Sequence, residues 1–89
     1  MEQWLSSDQL CLAILAFLVE KEGFVDLKDV EKHKGVVRHL GSRVDRYELI
    51  LRSGFNRLRA RNLVEKDDNG HKYKISPSGL EMHGRIVSA

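Results

Sequence analysis

The segment from residue 43 to residue 61 is rich in arginine, serine and asparagine, whose side chains hydrogen-bond to phosphates and to base edges. If the segment is helical, its outward face and the edges of that face carry Arg46, Leu49, Arg52, Ser53, Asn56, Arg57 and Ala60. A face that only meets solvent is expected to carry glutamate and lysine instead. The residue types therefore predict a helix face that binds nucleic acid.

The side chains of this face suit different contacts with DNA. We expect Arg46, Ser53 and Asn56 to hydrogen-bond to base edges, and an exposed Leu49 can contact a thymine methyl group. Three further arginines are expected to hold phosphates, namely Arg43, Arg52 and Arg57.

The net charge of +2 is unevenly distributed along the chain. Residues 1–40 carry five basic and seven acidic side chains, and residues 67–89 carry three of each. Residues 43–66 carry seven basic and three acidic side chains, so the positive charge coincides with the arginine-rich segment. This distribution favours a partner that bears phosphates, although a solvated helix face remains the alternative.

A helix from about Val44 or Asp45 to Arg61 would position these side chains. Its inward face is predicted by apolar residues at helical spacing, namely Val44, Tyr47, Leu51, Phe55 and Leu58. Gly54 lies at the edge of that face. Because glycine costs about 1 kcal/mol in a helix interior, it indicates close packing against a neighbouring helix.

A β-hairpin is predicted to follow, with strands over Leu63–Asp67 and His71–Ile75 after a C-cap at Asn62. Asn69-Gly70 is expected to supply the positive φ angles of its turn. Asp67 and Asp68 would repel phosphate, so contacts from the hairpin to DNA would depend on His71, Lys72 and Lys74. Ser76-Pro77 then predicts the N-cap and first residue of a final helix.

The N-terminal half predicts two further helices and a short strand. Ser6 and Gln9 have capping-box spacing, so a first helix is expected from there to about Glu22, ended by Gly23. Phe24-Val25 predicts a short strand. Asp26 is the expected N-cap of a second helix, with Leu27, Val30 and Val37 inward and a region weakened by Gly35.

The first helix has apolar residues on both sides. One side, with Leu10, Ile14, Phe17 and Leu18, is expected to face the core. The other is predicted to form a homodimer interface together with the C-terminal helix, through Leu12, Leu15, Ala16, Val19, Met82 and Ile86. The alternative is that the C-terminal helix folds back and covers this side within one chain.

Other classes of function find little support in the residues. Four scattered histidines and a single cysteine show no metal-ligand spacing, and no catalytic constellation or phosphate-cradling loop is recognisable. We therefore expect no enzyme activity, cofactor, metal or small-molecule ligand. Cys11 is expected in the core or the interface, and a single cysteine fits a reducing cytoplasm.

The length of 89 residues predicts one domain over residues 1–89. The apolar run Cys11–Val19 is too short to span a bilayer, and no basic leader precedes it. We therefore expect a cytoplasmic protein with no membrane partner.

Two segments carry a resemblance to known proteins: FNRLRARNLVEK, residues 55–66, and YKISPSGL, residues 73–80. The first resembles the recognition-helix end and first wing strand of MarR-like and PadR-like winged-helix regulators. The second is similar to their second wing strand and the Leu-Thr-x-x-Gly start of the next helix. The resemblance covers about residues 43–82, and Asn62 stands where those families usually have glycine.

The resemblance implies an α+β, mainly α fold, a winged helix-turn-helix with a three-helix core, a two-stranded β-hairpin wing and a C-terminal helix. It implies a transcription regulator that places the arginine-rich helix in the major groove of double-stranded DNA. Two alternatives stay open, because winged helices also serve as protein-interaction modules. The chain would then belong to a larger assembly, or would be a replication- or RNA-associated accessory domain.

Overall fold

The computed structural model describes residues 8–21, 23–41, 46–70 and 72–88, and shows an α+β, mainly helical fold. The helices are α1 (Gln9–Glu20), α2 (Leu27–Glu31), α3 (Lys34–Val37), α4 (Tyr47–Ala60) and α5 (Pro77–Ser88). The strands are β1 (Val25–Asp26), β2 (Val64–Lys66) and β3 (Lys72–Ile75). No helix within these ranges has the length and apolar character needed to cross a membrane.

The three strands form one small antiparallel sheet with β3 in the middle, in the order β1-β3-β2. Val25 of β1 pairs with Tyr73, and Val64 of β2 pairs with Ile75. Because directly paired residues place their side chains on the same face of a sheet, Val25 and Tyr73 share its buried face. The short strand predicted at Phe24-Val25 is therefore present, one residue further along.

Helix α1 begins at Gln9, and its N-cap is Asp8, whose Oδ1 accepts a hydrogen bond from the Cys11 amide at 3.1 Å. The predicted start at Ser6 is wrong, because Asp8 provides the capping oxygen; Ser6 itself lies outside the described residues. The helix ends at Glu20, two residues before the predicted Glu22, because the backbone of Lys21 is extended.

Asp26 caps α2 as predicted, and Asp29 completes a capping box by accepting from the Asp26 amide. The region weakened by Gly35 is not a continuation of α2. It forms α3, a separate short helix that buries Val36.

Helix α4 buries Leu51, Phe55 and Leu58 completely, which confirms these three residues of the predicted inward face, and Tyr47 is half-buried. A Cβ built on Gly54 lies only 3.0 Å from Cδ1 of Ile14, so α1 and α4 pack as closely as the glycine predicted. The predicted start at Val44 or Asp45 lies outside the described residues.

The end of α4 is a Schellman motif built on Asn62, whose φ is 62°. The Asn62 amide donates to the Arg59 carbonyl at 2.9 Å, and the Leu63 amide donates to the Leu58 carbonyl at 3.0 Å. Leu58 and Leu63 are both buried, as the hydrophobic contact of this motif requires. Asn62 thus takes the left-handed conformation that glycine most often supplies at the end of a helix.

The hairpin turn differs from the prediction in its backbone conformation. Gly70 has a φ of 74°, but Asn69 does not have a positive φ, so only one residue of the pair is left-handed. The Gly70 amide donates to the Asp67 carbonyl at 2.9 Å, closing a four-residue turn. Asp67 Oδ1 also accepts from the Lys72 amide at 3.1 Å, so this acidic side chain stabilises the turn.

Helix α1 lies at the centre of the core, packed against α3, α4, α5 and β3. Leu15, predicted at a dimer interface, is 0% exposed and belongs to the core, because α1 is covered on more than one side within a single chain. Leu12, Met82 and Ile86 are half-buried against the same core. Val19 remains 39% exposed, and Ala16 is half-buried.

Candidate nucleic-acid interface

The outward face of α4 is exposed where the sequence predicted it. Arg46, Ser53 and Asn56 are exposed, and Leu49 is 69% exposed. The buried residues on the opposite side fix the rotation of the helix about its axis. Removal of Leu51, Phe55 and Leu58 from the core would cost several kcal/mol of unfolding free energy, so the helix cannot rotate and the polar residues stay on the outward face.

Arg52, at one edge of this face, forms an ion pair with Glu48 one turn earlier. Its Nη2 lies 3.0 Å from Glu48 Oε1, and Nε donates to the same oxygen at 3.3 Å. The two side chains are 48% and 61% exposed. Exposed pairs at this spacing contribute only about 0.3–0.5 kcal/mol, so a phosphate could replace Glu48 at little cost.

Arg57, at the other edge, is held by a different kind of contact. Its Nε donates to Asp8 Oδ2 at 2.9 Å, and its Nη1 donates to Ser53 Oγ at 2.8 Å. Asp8 is the N-cap of α1, so this ion pair connects the start of α1 to the arginine-rich helix. The Asp8 and Arg57 side chains are 22% and 40% exposed.

The pKa of the Asp8 carboxyl reflects opposing effects. Burial acts to raise this pKa, but the hydrogen bonds from the Cys11 amide and from Arg57 outweigh it and hold the pKa below its ordinary value. Asp8 is therefore a carboxylate at neutral pH. Arg57 has a partner of full opposite charge.

Two other arginines of α4 and its flank have no ion pair within the described ranges. Arg46 and Arg59 are both exposed, one at the start of the helix and one in its last turn. Arg61 donates to the Arg57 carbonyl at 3.4 Å. Arg46 and Arg59, which have no ion pair in the part of the chain that the structure describes, therefore lie at the two ends of the helix.

A shallow groove of about 290 Å³ runs between the start of α1 and the outward face of α4. It is lined by Leu10, Arg46, Leu49, Ile50, Ser53 and Arg57. Four of the predicted DNA-binding residues therefore share one depression, which is lined by both apolar and basic side chains.

The hairpin tip lies beside the other edge of α4. Gly70 and Arg52 line one groove of about 230 Å³, together with Asp26, Lys28 and Glu48. Lys72 is exposed next to the turn, whereas Lys74 is half-buried with its Nζ 5.2 Å from the centre of the Phe24 ring. Arg43 and His71 lie outside the described residues.

Sequence reasoning missed Asp8, the partner of Arg57. Asp8 is a residue type that caps helices, which was a usable signal, but its partner Arg57 is 49 positions away along the chain. The described residues contain no group of three or more histidine, cysteine or acidic side chains that could hold a metal ion. Cys11 is buried, and its Sγ donates to the Gly54 carbonyl at 3.5 Å.

No protein-family model matches the chain, and no curated protein or solved structure matches it either.

Proposed function

We propose that the protein binds double-stranded DNA as a winged helix of the MarR-like and PadR-like type, with α4 in the major groove. The observation that carries this proposal is the outward face of α4. An exposed row of Arg46, Leu49, Ser53 and Asn56 stands on a helix whose other side is fixed in the core. These side chains can reach base edges and thymine methyl groups.

The arrangement of the elements supports the winged-helix part of the proposal. The arginine-rich helix leads through the Asn62 corner directly into the hairpin, and β1 pairs along the outer edge of β3. The hairpin tip at Gly70 lies next to Arg52, so a duplex seated on α4 would also pass the tip. The exposed Lys72 would then contact the phosphate backbone, with His71 and Lys74 as further candidates.

A role as a homodimeric transcription regulator in the cytoplasm is the wider form of this proposal. Because Leu15 is buried, it cannot contribute to the surface that a second copy of the chain would contact. That surface would consist of Leu12, Ala16 and Val19, which remain at least partly accessible on α1, with Met82 and Ile86 beside them.

A gel shift on random-sequence duplex DNA at several salt concentrations tests the proposal. On a duplex selected from the random sequences for tight binding, Arg46→Ala and Asn56→Ala should each cost about 1–3 kcal/mol of binding free energy. Arg85→Ala on α5 is the matched control, because it removes an exposed arginine from another element and should leave affinity nearly unchanged. A parent protein without salt-dependent binding, or equal losses in Arg46→Ala and Arg85→Ala, would contradict it.

Duplex RNA of the same sequence is a further arm of the experiment. The major groove of A-form RNA is too deep and narrow for side chains to read. We expect binding to duplex RNA to be much weaker than binding to DNA.

The second candidate function is protein recognition by the same face, which the exposure of Leu49 favours. An isolated leucine that is 69% exposed, above a groove lined by Leu10 and Ile50, is also suited to an apolar side chain of a protein partner. Binding of DNA with the steep salt dependence of phosphate contacts would favour the first candidate. If the parent does not bind DNA, and Leu49→Ala abolishes binding of a protein partner, the second candidate is favoured.

A further inference from the structure

The carboxylate of Asp8 accepts a hydrogen bond from the guanidinium group of Arg57, which a DNA phosphate would otherwise contact. Nε of Arg57 lies 2.9 Å from Asp8 Oδ2, and Arg57 lines the same groove as Arg46, Leu49 and Ser53. We propose that Asp8 is a specificity-determining residue of this interface, because its carboxylate competes with phosphate for Arg57. The inference rests on the proposed DNA-binding function.

Asp8 is a stronger competitor than the other carboxylate on this face. Its second oxygen accepts the Cys11 amide, so the side chain is already fixed as the N-cap of α1 and loses little entropy in holding Arg57. Glu48, which pairs with Arg52, is 61% exposed, and a long exposed side chain loses more rotamer entropy when it is held in one geometry. A phosphate should therefore displace Glu48 readily and Asp8 only with difficulty.

Withholding one arginine from phosphate affects the balance between specific and non-specific binding. Phosphate contacts stabilise binding to every sequence alike, whereas base contacts depend on sequence. Arg57, held by Asp8 and donating to Ser53 Oγ, is already neutralised before DNA arrives. Non-specific affinity is thereby lowered, while the base contacts of Arg46 and Asn56 are unaffected.

Two substitutions release Arg57 without removing the helix cap. Asp8→Asn and Asp8→Ser both keep a side-chain oxygen that can accept the Cys11 amide, and both residues are good N-caps. One added phosphate contact should steepen the dependence of log affinity on log salt by about 0.9. If a variant and the parent bind equally at 1 M salt, the variant should bind random duplex about eightfold more tightly than the parent at 0.1 M and about twofold more tightly at 0.4 M.

The same measurement in an Arg57→Gln background separates release of Arg57 from a general change of surface charge. If Asp8 acts through Arg57, the gain from Asp8→Asn should disappear when position 57 is glutamine. A gain that persists in the double variant would mean that the negative charge of Asp8 acts on DNA directly, and would overturn the inference.

The remaining outcomes distinguish this inference from the proposed function. Salt-dependent binding by the parent, with the same slope in Asp8→Asn and Asp8→Ser, would overturn the inference and leave DNA binding intact. Absence of binding in the parent and in both variants, all folded by circular dichroism, would overturn both. A steeper slope in either folded variant, lost with Arg57→Gln, supports the inference.

Discussion

Gly79 packs directly against the backbone of Leu63, so that a Cβ at position 79 would overlap the Leu63 carbonyl oxygen. The same corner is held by Ser76, whose hydroxyl donates to the Asn62 carbonyl at 2.6 Å and accepts the Gly79 amide at 3.0 Å. The end of the arginine-rich helix, the hairpin and the start of α5 therefore meet at one point. Helix α5 can pack at this point only because Gly79 has no side chain.

Gly79→Ala should therefore destabilise the fold. Because the clash is with backbone rather than with a flexible side chain, the loss in unfolding free energy should lie at the upper end of roughly 1–3 kcal/mol. For a domain of this size, the melting temperature would fall by on the order of 10 °C or more. Gly84→Ala is the matched control, since a Cβ at position 84 meets nothing within 4 Å.

The control should behave in the opposite way. Gly84 is exposed within α5, and alanine in a helix interior is up to about 1 kcal/mol more favourable than glycine. Thermal melts followed by circular dichroism would compare the two variants with the parent. Equal melting temperatures for the two variants would mean that the contact between Gly79 and Leu63 does not constrain the fold.

The sequence was sufficient for features that depend on local chemistry. Asp26 and Ser76 could be recognised as helix caps, and Gly54 and Asn62 as a close-packing site and a helix end, because each effect acts within a few residues or on one helix face. The exposure of Leu49 followed from the helical spacing of the apolar residues around it.

Features that depend on distant parts of the chain could not be predicted. The pairing of Asp8 with Arg57 exists only because the packing of α1 against α4 brings the start of α1 beside the last turn of α4, and no local pattern encodes it. The burial of Leu15 is a similar case. Its spacing indicates an apolar face, but an apolar face can be covered by a second copy or by α3 and α5 of the same chain.

The ion pair between Asp8 and Arg57 should contribute to stability in a pH-dependent way. The pKa of Asp8 is lower in the folded protein than its ordinary value of about 4, so the contribution is fully present above that value. It is lost as the pH falls through the lower pKa of the folded state.

Chemical denaturation of the parent and of Asp8→Asn between pH 7 and pH 2 would measure this contribution. For a partly exposed pair, we expect the parent to be more stable by roughly 0.5–1 kcal/mol at pH 6. The difference should shrink below about pH 4 as Asp8 takes up a proton. A difference that is constant down to pH 2 would show that Asp8 stabilises the fold without using its charge.

Cys11 should resist alkylation in the folded protein. Burial, followed by the negative charge of Asp8, raises the pKa of its thiol to about 11, so very little thiolate is present at pH 8. Labelling by iodoacetamide should therefore be limited by unfolding, and the same protein in denaturant should react at the rate of a free thiol. Rapid labelling under native conditions would contradict the burial of Cys11 beneath Gly54.

The hairpin turn offers a test of whether the hairpin contributes to the proposed binding of DNA. Gly70 has a φ of 74°, which valine tolerates poorly and asparagine tolerates well. Gly70→Val should therefore distort the tip beside Arg52 and lower DNA affinity, and Gly70→Asn should preserve it. Comparison of affinity and melting temperature would separate the two roles: a large loss of stability with unchanged affinity would make the hairpin purely structural.

Self-association should depend on Val19 and not on Leu15. Because Leu15 is completely buried, Leu15→Glu would place a charge in the core and should destabilise the fold at every protein concentration, by several kcal/mol. Val19 is 39% exposed at the end of α1, so Val19→Glu should leave the monomer folded and weaken only the proposed dimer.

Sedimentation equilibrium of the parent and of Val19→Glu, each checked for folding, would measure this difference. A two-fold dimer would present two copies of α4 to a palindromic site. A parent that stays monomeric at high micromolar concentration would contradict both the dimer and such a site.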